Sequence, residues 1–96
     1  MKSTNSIEMD TIVVQIEGLV AADMDGEKVM LNITTGKYFG LDQVGSRIWE
    51  LIETPCAVYE IIQSLRLDYE VHEETCQKDV LTFLGLLQIR GLITIV

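Results

Sequence analysis

Histidine, proline, cysteine and basic side chains are all scarce in this 96-residue chain, and each scarcity excludes a class of function. His72 is the one histidine, so no multi-histidine metal site can form, and no metal or other cofactor is expected. Cys56 and Cys76 stand alone, without the paired spacing of a zinc site or a redox motif. Two such thiols suit a reduced, cytoplasmic protein in which they pack rather than crosslink. Seven Lys and Arg face fifteen Asp and Glu, a net charge of −8. That argues against a nucleic-acid binder, whose affinity comes from neutralising phosphates, and it is compatible with a basic peptide or protein partner. No apolar run approaches the roughly 18–20 residues needed to cross a bilayer. Residues 1–6 are polar and lack the apolar core of a signal peptide, so no membrane role is expected. No Gly-rich phosphate loop is present.

Aliphatic residues, by contrast, are plentiful. The chain is 48% hydrophobic, enough for one modest core, and its mean hydropathy is +0.26 despite the charge. Residues 1–96 read as a single domain with a flexible N-terminus at 1–6. The first half is β-type. Residues 19–24 and 28–33 flank Asp25-Gly26, a strong hairpin signal, and Thr35-Gly36 closes a second hairpin into 37–41. The result is a three-stranded antiparallel meander. Residues 12–16 alternate like a strand and either extend the first strand around Gly18 or pair elsewhere.

The second half is helical. Asp42 suits an N-cap, and Val44, Ile48, Leu51 and Ile52 form one apolar stripe after it. Thr54 and Pro55 read as the cap and first position of a second helix, whose stripe is Val58, Ile61, Ile62 and Leu65. Leu67, Tyr69 and Val71 belong to a connector that feeds the core. A third helix spans 73–90 and stops at Gly91. At 100° per residue its core stripe is Cys76, Val80, Phe83, Leu84 and Leu87. Its other side is not polar either, carrying Leu81, Thr82, Gly85, Leu86 and Ile89. That second face is either covered by the apolar tail 92–96 or a partner copy, or it walls a groove beside an edge strand at 37–41. Such a groove would capture a peptide as an added strand, with Tyr38, Phe39 and Leu86 as natural lining.

The runs Asp-Gly-Glu-Lys-Val-Met-Leu-Asn (25–32), Thr-Gly-Lys-Tyr-Phe-Gly-Leu-Asp (35–42), Val-Gly-Ser-Arg-Ile-Trp-Glu-Leu-Ile (44–52) and Asp-Val-Leu-Thr-Phe-Leu-Gly-Leu-Leu-Gln-Ile-Arg-Gly-Leu-Ile (79–93) resemble the PqqD-like family, the leader-recognition domains of ribosomally made, modified peptides. The Tyr-Phe-Gly-Leu-Asp and Ile-Trp-Glu-Leu runs are most similar to the free-standing members of lasso-peptide pathways. The resemblance implies an α+β, winged-helix-like fold, a three-stranded antiparallel sheet followed by three helices. It implies a precursor leader peptide bound antiparallel between the third strand and third helix, then presented to a separate leader peptidase or other maturation enzyme. Carried over by position, the peptide-binding residues are Tyr38, Phe39, Leu41, Asp79, Thr82, Phe83 and Leu86, with Asp79 placed to meet a Lys or Arg of the leader. The family often has a Ser-type cap before the third helix, where this chain has His72. Two other pathways remain open, a peptide chaperone serving a radical enzyme or one serving quinone-cofactor synthesis. A winged-helix DNA-binding protein is disfavoured by the charge, and catalysis by a Cys–His pair is poorly supported because Cys76 lies on the core stripe.

Overall fold

The computed structural model describes residues 7–96, so the N-terminus expected to be flexible lies outside the described residues. The order is β1 (Ile12–Gln15), β2 (Leu19–Met24), β3 (Glu27–Asn32), β4 (Tyr38–Gly40), α1 (Gln43–Leu51), β5 (Cys56–Ala57), α2 (Val58–Asp68), α3 (Glu73–Ile89) and β6 (Ile93–Ile95). The expected meander is present as an antiparallel sheet in the order β2-β3-β4, followed by three helices. Its first turn works because Asp25 and Gly26 both take positive φ, 56° and 84°, matching the twist of a two-residue hairpin. The second is a wider loop. Asn32 closes it by exchanging backbone bonds with Lys37 and Gly36, while its side chain accepts from the amides of Thr34 and Thr35.

Segment 12–16 does not extend β2. β1 is the centre of a second small antiparallel sheet, β5-β1-β6, with Val13 opposite both Cys56 and Ile95. Further bonds tie this segment down: Gln15 N–H donates to the Ile52 carbonyl and Ile16 N–H to that of Leu92. The apolar tail is therefore a strand partner of the N-terminal segment.

The core is built from Met30 of β3, Ile48, Trp49 and Ile52 of α1, the α2 stripe Val58, Ile61, Ile62 and Leu65, and Cys76, Val80, Leu84 and Leu87 of α3. Three local expectations are corrected. Thr54 and Pro55 lie outside α2, because Cys56 and Ala57 pair with β1 first. Ala57 is the N-cap, with its amide donating to Glu60. Leu67 is 88% exposed on the outer side of α2, which runs on to Asp68. Phe83 is only partly buried, at the margin of the core stripe rather than in it. Asp42 does cap α1, accepting from Gly45 N–H at 2.7 Å, whereas His72 precedes α3 without a side-chain capping bond.

Candidate functional site

β4 has one partner among the described residues, and its outer edge is open. The register says which groups are free. Met30 lies opposite Phe39, Asn32 donates to Lys37 and Leu41 donates to Lys28, so residues 37, 39 and 41 turn their backbone groups toward β3. Tyr38 and Gly40 turn theirs outward. Each therefore presents one N–H and one C=O to the edge with no partner among the described residues. β2 is the other edge, but Val20 to Met24 are all exposed, so no wall stands beside it.

Beside β4 such a wall exists. A cavity of about 580 Å³ opens between the end of β4, the first turns of α1 and the face of α3. Its lining includes Gly40, Leu41, Val44 and Ile48 from β4 and α1, Asp79, Phe83 and Leu86 from α3, and Tyr69 and Val71 from the segment between α2 and α3. On α3 the spacing of Asp79, Phe83, Leu86 and Arg90 is i, i+4, i+7 and i+11, one stripe of a helix. The stripe continues past the cavity, where the Arg90 guanidinium lies 5.2 Å from the centroid of the Phe39 ring. β4 and its turn into α1 thus run antiparallel to α3, with Phe39 near the C-terminus of α3 and Leu41 and Asp42 nearer Asp79.

Leu41, Asp79, Phe83 and Leu86 are brought together as the sequence suggested. Phe39 faces inward at the end of the groove, under Arg90. Tyr38 comes to the edge with its backbone alone, because strand alternation puts its side chain on the outer face, 74% exposed. Thr82 is exposed about 60° around the helix from the lining stripe and does not touch the cavity. Val44, Gly45, Tyr69, Val71 and Arg90 were missed. The first two sit on a helix read only for its core face. Tyr69 and Val71 were assigned to the core, and Arg90 entered only as the last residue of the third helix.

The site brings together outward-facing backbone groups and mostly apolar side chains. Among the described residues no group of three or more His, Cys, Asp or Glu could hold a metal. Burial pushes both thiols above their ordinary range, Cys56 and Cys76 alike, the opposite of what an activated nucleophile needs. No helix among the described residues is long and apolar enough to cross a membrane.

A family model described as "Coenzyme PQQ synthesis protein D (PqqD)" matches residues 27–93, from the start of β3 to the first residue of β6. The chain belongs to the PqqD family. Among solved structures, this PqqD-family chain is 39% identical to TbiB1, in a structure described as TbiB1 in complex with the TbiA(beta) leader peptide. The match covers 83% of this chain and 93% of that one, with a TM-score of 0.78. A lasso peptide synthetase B1 complexed with the leader peptide shares the fold at 20% identity, over 85% of this chain and 96% of that one, with a TM-score of 0.76. No curated protein sequence matches the chain significantly. The winged-helix-like α+β architecture expected from the sequence is that of the PqqD family.

Proposed function

We propose that this protein is a single leader-recognition domain for lasso-peptide biosynthesis, and that it holds the leader of a precursor peptide as an extra antiparallel strand on β4. The observation that carries the reading is the outward-facing backbone of Tyr38 and Gly40 beside an apolar groove. Two residues with both groups free offer about four main-chain hydrogen bonds, each worth about 0.5–1.5 kcal/mol net. Ordering a peptide strand opposes this by roughly 1–2 kcal/mol per residue. Backbone pairing alone therefore comes close to cancelling, and affinity must come from apolar side chains buried between Leu41, Val44, Phe83 and Leu86. The 39% identity to TbiB1, described in complex with a leader peptide, supports the same occupant.

On this reading the protein is not an enzyme. It raises the effective concentration of the scissile region at a separate partner, a leader peptidase or another maturation enzyme. Phe39, Leu41, Phe83 and Leu86 supply apolar contact, Tyr38 supplies backbone pairing, Asp79 lines the groove, and Thr82 lies outside it. A second reading, a peptide chaperone in quinone-cofactor synthesis, follows from the description of the family model. The two differ in which leader binds.

The test separates edge pairing from fold. Proline is tolerated on an edge strand where its missing N–H faces outward. Tyr38→Pro and Gly40→Pro should therefore keep the fold while weakening leader binding about ten-fold or more, as loss of about 1.4 kcal/mol requires. Phe39→Pro removes a bond to β3 and should unfold the sheet. The probes are synthetic leaders from precursor genes beside this one and the TbiA(beta) leader peptide, followed by fluorescence anisotropy. Unchanged binding by folded Tyr38→Pro and Gly40→Pro variants would refute strand addition.

A further inference from the structure

Three of the six basic side chains among the described residues are committed within the fold. Lys28 pairs with Asp23 and Glu50, Arg47 with Glu50 and Asp68, and Arg66 with Glu73. Among the described residues Lys37, Lys78 and Arg90 make no ion pair. Two of these three stand at the same end of the groove. Lys37 directly precedes β4 and its carbonyl still accepts from Asn32 N–H, which puts it on the Phe39 side by alternation, and Arg90 lies over the Phe39 ring. The opposite end is acidic. Asp42 and Asp79 both line the cavity there, and Asp79 has no ion-pair partner among the described residues.

We propose that these two ends fix the direction and register of the bound strand, selecting a leader with a basic groove-facing residue followed, toward its C-terminus, by an acidic one. This rests on the strand-addition reading above. The polarity follows from the geometry. β4 runs from the Arg90 end toward the Asp79 end, so an antiparallel strand starts beside Asp42 and Asp79 and finishes beside Lys37 and Arg90. The spacing follows as well. Asp79 and Arg90 are eleven positions apart, about 16.5 Å at a rise of 1.5 Å, or about five strand residues at 3.4 Å. Groove-facing side chains recur every second residue, so the basic and acidic positions lie about four or six apart. Charge at these ends adds little total affinity; its effect is to penalise the reversed pattern.

Three versions of one synthetic leader test this on the unaltered protein. They share their apolar anchors and carry Lys then Glu, Gln then Gln, or Glu then Lys at the two groove-facing positions, with both spacings made. At low salt the Lys-then-Glu peptide should bind about five- to ten-fold more tightly than Glu-then-Lys, as two surface pairs allow. The neutral version should fall between, and the spread should shrink as salt rises. In the double variant Asp79→Lys with Arg90→Glu, both sites exposed, the order should invert. Three affinities within two-fold of one another, or an order that stays the same in the double variant, would overturn the proposal while leaving strand addition standing. Loss of binding by all versions would instead overturn strand addition, and this proposal with it.

Discussion

A Cβ added at Gly45 would lie 3.1 Å from Oδ1 of Asp42 and 3.2 Å from Cζ of Phe83. Glycine is therefore the residue that lets the Phe83 ring lie against the first turn of α1, which fixes where the groove wall stands. Gly45→Ala gains up to about 1 kcal/mol of helix propensity but overpacks this contact at a cost of about 1–3 kcal/mol. A net loss of up to about 2 kcal/mol is expected from the urea midpoint, with weaker leader binding as the ring is displaced. A stability gain would show that Phe83 has room to retreat. Phe83 also illustrates what the sequence could and could not say. Helical periodicity placed it within the core stripe, about 40° from Asp79, and no local signal marks where a neighbouring layer ends. The ring is half-buried because the sheet stops at β4.

For α3 the second apolar face foreseen in the sequence is real: Leu86 is 47% exposed and Ile89 85%. The tail that was offered as its cover pairs with β1. A Cβ added at Gly85, on the same face, would meet nothing within 4 Å. Gly85→Ala should therefore raise stability by about 0.5–1 kcal/mol, the ordinary gain from removing a helical glycine, with leader affinity unchanged. Falling processing by a partner enzyme in the same variant would mean that the partner packs there. The hairpins and helix stripes were legible because turn residues and apolar spacing act over a few positions. Pro55 was misplaced because strand pairing between β1 and β5 sets where α2 begins, and Leu67 because α2 runs on to Asp68 and turns it outward.

At the scale of the whole molecule, pH acts through groups whose protonated form the fold prefers. The hydrogen bond to Asp23 holds the Lys28 ammonium above its usual 10.5 despite opposing desolvation, and Glu50 adds to it. Burial holds the thiols of Cys56 and Cys76 above 9.0. In each case the folded state binds protons that the unfolded state releases first, so stability is full below about pH 9 and declines as pH rises through the thiol and then the Lys28 range. Urea denaturation at a series of alkaline pH values should show this decline. It should be shallower between about pH 9 and 10 in a Cys56→Ala, Cys76→Ala variant, and a flat profile would contradict it. The sequence by itself determined the meander, the Asp42 cap, the helix stripes and the family, because these depend on neighbours a few residues apart or on motifs held in the chain. Only the tertiary structure decided that β1 is enclosed by β5 and β6 and that β4 keeps an open edge. Pairing between distant segments depends on the free energy of packing the whole chain, and no short stretch of sequence carries it.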